Sequence, residues 1–249
     1  MEANVFREMA AVQGNHWWFV ARGRILATVI SRLSLSPESK ILEIGCGTGG
    51  NLAMLSRFGQ LSAMEYDEHA REIAEALDVC KIEAGGLPEP VPFDNGQFDL
   101  VCLLDVLEHI ENDDDALVRI GQLLGPTGRL LITVPAYSWL WSAHDEAHHH
   151  HRRYTAQLLR DKAQQANLVV DKLCYFNTFL FPLIALVRLI GKVSKKAGGS
   201  DAAIPSPLIN YLLKAIFSLE RYVITRVRLP FGTSVMAVLS TKVPLSRAP

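Results

Sequence analysis

The chain has no paired cysteines. Cys46, Cys80, Cys102 and Cys174 are its only four, and none falls in a Cys-x-x-Cys pair. That spacing excludes a disulfide framework and a cysteine metal knuckle, and it fits a reducing compartment. A basic segment followed by an apolar run is missing from MEANVFREMA at the N-terminus, so no secretory signal is read there and a cytoplasmic protein is expected. Long uncharged apolar runs are missing too. Leu173–Val187 spans 15 residues, contains Pro182 and is followed by Arg188 and Lys192, short of the roughly 20 residues a membrane-spanning helix needs. Acidic residues are scarce in the last third. Residues 173–249 carry 10 Lys and Arg against 2 Asp and Glu, a balance of +8, whereas residues 1–172 carry 15 against 24, a balance of −9. The basic third is also the most apolar, which points to an anionic membrane surface or lipid, or to a solvated basic face, and away from nucleic acid.

What the chain does have is a strand that runs into a glycine turn, KILEIGCGTGGN at 40–51. Ile41, Leu42 and Ile44 read as a buried strand. Gly45, Gly47 and Gly49 let the backbone bend and let a ligand approach without Cβ obstruction, and the helix that follows starts with unpaired N–H groups facing a crevice. Glu43 sets a carboxylate at the strand end. Two templates fit. Gly45, Gly47 and Gly50 satisfy the dinucleotide fingerprint G-x-G-x-x-G, while Glu43 with Gly45, Gly47 and Gly49 satisfies the version that holds a sulfonium nucleoside. Glu65 lies 20 residues past Gly45, the spacing at which an acid at the end of the second strand meets ribose hydroxyls.

The rest of the first half alternates strands and helices. Helices are expected at 3–13, 20–34, 49–57, 68–77 and 113–124, and strands at 61–65, 79–84, 98–104 and 129–134. The near-continuous apolar run FDLVCLL at 98–104 reads as a strand buried on both faces of a parallel sheet. Its C-terminal end carries Asp105 and His109 into the crevice where open α/β sheets bind ligands. Between the first two helices, His16-Trp17-Trp18-Phe19 reads either as a hydrophobic plug at the sheet edge or as an aromatic lid over a ligand, with Arg22 available for a carboxylate.

In order, ILEIGCGTGG, the acid of AMEYD, LPEPVPFDNGQFDLV, LLDVLEHI and LLGPTGRLLITVP resemble the motifs of class I S-adenosylmethionine-dependent methyltransferases, over residues 40–135. The small-molecule branch that includes the quinone-biosynthesis enzymes is the most similar. HWWFVAR, HHRRYT and LPFGTSV extend the resemblance to one bacterial subgroup. It implies a doubly wound α/β fold with a seven-stranded sheet whose last strand is antiparallel, and S-adenosylmethionine as cofactor. It further implies that Glu43, Gly45, Cys46, Gly47 and Gly49 hold the methionine end, Glu65 the ribose, Tyr66, Gly86 and Leu87 the adenine, and that Asp105 lines the pocket. Relatives often carry an acid where this chain has Gly85-Gly86, so adenine recognition would rest on backbone and packing. Thr127 stands where relatives usually have Gly.

Methyl transfer asks mainly for in-line placement of the nucleophile at roughly 3–3.5 Å. An oxygen acceptor must also lose a proton, and His109 is the candidate base, or else a structural residue. Residues 136–153, AYSWLWSAHDEAHHHHRR, form an 18-residue stretch without periodicity, more often a functional loop than filler. Four consecutive histidines cannot all reach one ion, so no metal is assigned. The subgroup pattern marks Asp145, His150, Arg152, Arg153 and Tyr154 as substrate residues, joined by Trp18 and Arg22 from the lid reading.

Beyond a helix at 155–166 and a strand at 168–175, Phe176–Val193 and Pro207–Val227 read as two apolar helices around a polar linker, KKAGGSDAAIPSP, before a last strand at 234–242. A single domain is therefore expected, with a helical cap at 1–36, a cofactor-binding core at 37–177 and 230–243, and an apolar insertion at 178–229. The insertion suits a lid, an in-plane membrane anchor, a dimer contact or plain extra core. Transfer to a small or lipid-linked acceptor, at oxygen, is the expected activity, in the cytoplasm or at the inner face of a membrane. A pyridine-nucleotide oxidoreductase and a non-catalytic cofactor-binding partner subunit are the alternatives.

Overall fold

A computed structural model describes residues 3–194 and 204–242. Seven strands form one sheet: β1 (Lys40–Ile44), β2 (Gln60–Glu65), β3 (Ile82–Ala84), β4 (Phe98–Leu104), β5 (Leu124–Pro135), β6 (Leu168–Phe176) and β7 (Ser234–Thr241). Their order is β3-β2-β1-β4-β5-β7-β6. β1 pairs in parallel with β2 and β4, β2 with β3, and β4 with β5, whereas β7 runs antiparallel to both β5 and β6. This is the doubly wound methyltransferase sheet expected from the resemblance. Chain order reverses between β1 and β4, so the loops after those two strands splay apart and leave a crevice at their C-terminal ends.

Side chains alternate across the sheet. Leu42, Ile44, Val101, Leu103, Leu130 and Ile132 pack on one face against Ile120 of α5 (Asp113–Leu123) and Leu159 of α7 (Ala156–Gln165). Ile41, Leu100, Cys102, Leu131, Met236 and Val238 pack on the other against Ile25, Leu26 and Val29 of α2 (Trp17–Ile30) and Phe217 of α9 (Pro207–Ser218). Both faces are therefore covered, which is why β4 reads as an unbroken apolar run.

The helical segments differ from expectation in their bounds. α1 spans Ala3–Val12, and α2 starts at Trp17, so the aromatic triplet forms its first turn instead of the link before it. His16 caps that turn, its Nδ1 accepting from the Trp18 N–H at 3.3 Å. Short helices α3 (Leu52–Leu55), α4 (Glu68–Glu75) and α6 (Ala143–Ala147) follow β1, β2 and β5. The apolar insertion forms α8 (Phe181–Ser194) and α9, and α9 ends nine residues short of the expected helix at a 3-10 turn, Leu219–Tyr222. Most of the polar linker, 195–203, lies outside the described residues.

α9 lies on α2, with the Trp17 and Phe217 rings 6.0 Å apart and Asn210 Oδ1 accepting the Trp17 N–H at 2.8 Å. Glu220 fixes the other end. Fully buried, its carboxylate accepts the N–H groups of Asn177, Thr178 and Phe179 at 2.7, 2.6 and 2.9 Å, just past β6.

Candidate active site

The glycine turn after β1 needs its glycines for different reasons. Gly45, at φ +67°, stands so close to Val106 that a Cβ would come within 2.8 Å of it. Gly49, at φ +83°, backs onto Leu77 and Leu52 and serves packing instead of facing the crevice. Gly47, at φ +55°, faces open space, with nothing within 4 Å of where a Cβ would stand. Its N–H donates to Glu65 Oε2 at 2.7 Å, while Glu65 Oε1 accepts from the Asp67 N–H at 2.9 Å. Glu65 is thus locked at the end of β2 with lone pairs still turned to the cavity.

A cavity of about 1250 Å³ opens over these strand ends, above the roughly 300–1,000 Å³ of most small-molecule sites and so roomy enough for two ligands side by side. Gly45, Cys46, Gly47, Glu65, Tyr66, Gly86, Leu87 and Asp105 line one end, and Glu108, His109, His150 and Arg153 the other. Trp18 and Arg22 stand between, and Leu180, Leu183, Ile184, Val187 and Leu213 from the insertion make an apolar wall. Tyr66 leaves its ring 80% exposed at the rim.

Beneath the cavity lies a polar floor. Glu43 is buried and does not line the cavity; one oxygen accepts from Asn51 Nδ2 at 2.8 Å, and the other has no hydrogen-bond partner. Burial pushes its carboxyl up to about 7, against the opposing pull of Asn51 and Arg22. Arg22 is committed: it pairs with Asp105, donates to Thr133 Oγ1 at 3.0 Å and to Asn51 Oδ1 at 3.3 Å, and lies 5.1 Å below the Trp18 ring. The expectation that Arg22 waits for a substrate carboxylate is corrected here. It is spent on Asp105, which sits at φ +59° at the end of β4.

The loop after β5 is pinned at both ends, since the Tyr137 N–H donates to Tyr154 O and the Tyr154 N–H to Pro135 O, each at 2.9 Å. Within it, Arg153 makes a two-pronged ion pair with Asp145 at 2.7 and 2.8 Å, and His150 Nδ1 lies 2.9 Å from the same carboxylate. Burial alone would raise the Asp145 carboxyl, but bonds from His150 and Arg153 hold it well below the usual range. Arg152 pairs with Asp113 and donates to Glu111 O at 2.7 Å, and the buried Tyr154 donates to Asp113 Oδ2 at 2.8 Å. Of the five loop residues marked for substrate, only His150 and Arg153 reach the cavity wall. Asp145, Arg152 and Tyr154 do not line it and instead hold the loop in place, Asp145 through partners within the loop and Arg152 and Tyr154 through Asp113, some forty residues away.

His109 does face the cavity, in a 3-10 turn, Leu107–His109, after β4. Burial, then His150 and His148, push its imidazole down to about 3. Glu108 beside it was not singled out from the sequence, where LEH reads as one candidate base. Its side chain is 1% exposed, and its Oε2 has no hydrogen-bond partner.

Residues 18–173 match the family model described as a methyltransferase domain, well over half of the chain. The chain belongs to the class I S-adenosylmethionine-dependent methyltransferases. Among curated proteins, the methyltransferase is similar to a trans-aconitate 2-methyltransferase of Deinococcus radiodurans, 31% identical over 118 residues covering 45% of this chain and 42% of that one. An O-methyltransferase of Pyrenophora dematioidea is 29% identical over 121 residues, 45% of each. The matched part thus spans under half the length of these relatives. Among solved structures, geranyl diphosphate C-methyltransferase of Streptomyces coelicolor, in complex with Mg2+, geranyl diphosphate and S-adenosyl-L-homocysteine, superposes with a TM-score of 0.58 over 87% of this chain and 78% of that one, at 13% identity. Family membership closes the pyridine-nucleotide reading that the glycines alone allowed.

Proposed function

We propose that the chain transfers the methyl group of S-adenosylmethionine to a hydroxyl oxygen of a small, apolar or lipid-linked acceptor. One observation carries this reading. A single cavity joins the glycine turn and Glu65 at one end to His109 and His150 at the other, under an apolar wall from α8 and α9. The residues present suit the cofactor. Gly47 leaves open space where a side chain would intrude, Glu65 offers acceptors for ribose hydroxyls, and Tyr66 presents a bare ring to a flat base beside Gly86 and Leu87. Asp105 lines the cavity above the buried Glu43, whose second oxygen has no hydrogen-bond partner, and so offers carboxylate oxygens at the end meant for a cationic methionine group. When bound, the cofactor supplies a methyl on a sulfonium, which departs as a neutral thioether.

The chain's own residues then have two tasks. The apolar wall and Trp18 exclude water and aim the acceptor hydroxyl, and placement supplies most of the rate. His109 takes the hydroxyl proton. An imidazole held near 3 is a weak base, so it accepts that proton only as the new C–O bond forms and the oxygen turns strongly acidic.

Calorimetry with S-adenosylhomocysteine tests the cofactor half. Binding with an affinity that falls at least about tenfold in Glu65→Ala is expected, since a ribose-holding carboxylate contributes roughly 1.4 kcal/mol or more. Incubation with methyl-labelled cofactor and lipid extracts tests the other half, with label expected in the organic phase. Absence of homocysteine-nucleoside binding by folded protein defeats the proposal outright, and binding without any transfer would leave a cofactor-holding partner subunit.

A further inference from the structure

We propose that Glu108, His109 and His150 bind one divalent transition-metal ion of the zinc type at the acceptor end of the cavity. Each of the three offers a ligand atom, and these atoms lie within 4.8 Å of one another. The set mixes two imidazoles with one carboxylate. That donor chemistry suits zinc, cobalt, nickel or iron, whereas magnesium and calcium prefer oxygen alone. Three protein ligands also leave a fourth position for an exchangeable group, the arrangement of catalytic and not of structural zinc sites.

What surrounds the three residues strengthens the assignment. Metal-binding histidines typically hold their second ring nitrogen with a carboxylate or a carbonyl. His150 Nδ1 lies 2.9 Å from Asp145 Oδ1, and Asp145 is itself fixed by Arg153. With Nδ1 so held, Nε2 is the nitrogen left for an ion. His109 is hydrogen-bonded to the main chain of His148, which fixes its ring in the same way. The two rings meet edge to face with centroids 4.6 Å apart. Glu108 supplies the third donor from a site 1% exposed, where its Oε2 has no hydrogen-bond partner. A buried, unpartnered carboxylate oxygen costs free energy that a cation would offset. The nearby Arg22 and Arg153 are both spent, on Asp105 and Asp145, so neither is bonded to the Glu108 carboxylate.

The remaining histidines of the run are not required. His149 and His151 are exposed along the cavity mouth and belong to no three-donor cluster among the described residues. The role of the ion rests on the methyl-transfer reading: coordination of the acceptor oxygen would lower its pKa, and with the ion bound His109 serves as a ligand, so the ion takes over the activation of the hydroxyl that His109 would otherwise perform as a base. Occupancy of the site stands apart from that reading.

The test uses protein stripped with a chelator and titrated with zinc chloride, then with cobalt chloride followed by visible absorption. One tightly held equivalent is expected, with a cobalt band of low coordination number. Glu108→Gln and His150→Ala should each weaken it by about tenfold or more, while the double variant His149→Ala/His151→Ala should leave it unchanged. S-adenosylhomocysteine binding measured on every variant reports an intact fold. The site is refuted if no ion binds, if magnesium competes at equal concentration, or if the ion survives Glu108→Gln but is lost from the His149/His151 double variant. Zinc binding to a protein that rejects the homocysteine nucleoside would sink the transfer reading and leave the metal site standing.

Discussion

Asp145 shows how one residue can organise a loop without touching a ligand. Its carboxylate caps α6 by accepting the Ser142 N–H at 2.8 Å, takes both prongs of Arg153 and receives His150, all while fully buried. The folded-state pKa is depressed, so the carboxylate contributes stability that is present above the unfolded value of about 3.9 and is lost as pH falls below it. Acid unfolding followed by circular dichroism should therefore steepen below about pH 4. Asp145→Asn should flatten that limb and, by leaving Arg153 buried without its partner, lower stability at pH 7 by about 3–5 kcal/mol. An unchanged acid limb in the variant would show that the carboxylate does not anchor the loop. The resemblance marked Asp145, His150, Arg152, Arg153 and Tyr154 as substrate residues, and the structure divides them into two clusters, His150 and Arg153 on Asp145, and Arg152 and Tyr154 on Asp113. Their direction was not legible, because the partners that turn Arg152 and Tyr154 inward converge on Asp113, some forty residues away. Gly47, Glu65 and Asp105 line the cavity for the opposite reason: strand, turn and helix follow one another directly, so local spacing fixes where they stand, whereas Glu43 lies buried beneath it.

At the scale of elements, one buried acid anchors the far end of the apolar insertion. Glu220 satisfies three consecutive N–H groups at the end of β6, and burial still pushes its carboxyl up despite those three bonds. Replacing Glu220 with Ala strands those donors and should cost about 3 kcal/mol. Because α9 also packs on α2, the thermal transition should fall and the Trp17 fluorescence should shift as α9 loosens. A variant within about 0.5 kcal/mol of the parent would mean that the insertion docks by apolar contact alone. Hydrophobic periodicity named both helices of the insertion but ran the second to Val227. The chain leaves the helix at Leu219 because Glu220 must turn back towards β6, a requirement set by tertiary contact and invisible to a periodic pattern. The misplaced start of α2 has a related cause. Aromatic residues are indifferent helix formers, yet Trp17 and Trp18 are carried into the first turn by the His16 cap and the contact with α9.

Across the whole molecule, exposed apolar side chains gather on the two helices of the insertion, in the part of the chain richest in basic residues. Leu186, Val187 and Ile190 on α8 and Leu208, Ile209 and Tyr211 on α9 are each more than half exposed, and the last third of the chain carries the +8 balance. Among the described residues no helix is long and apolar enough to cross a membrane. We infer that this face lies in the plane of an anionic bilayer, with apolar side chains entering the headgroup boundary and basic ones meeting lipid phosphate. Leu183 and Val187 are exposed here and also line the cavity, so a lipid-linked acceptor would pass from bilayer to site without crossing water. Sedimentation with vesicles containing roughly a third anionic lipid should carry the protein down, and high salt or neutral lipid should weaken the association within the reach of Debye screening. Leu186→Glu/Ile190→Glu should abolish it while S-adenosylhomocysteine affinity stays unchanged, since neither residue belongs to the cavity wall. Vesicle-independent self-association that the same double variant dissolves would instead make this face a contact between two copies of the chain, and the membrane reading would fall.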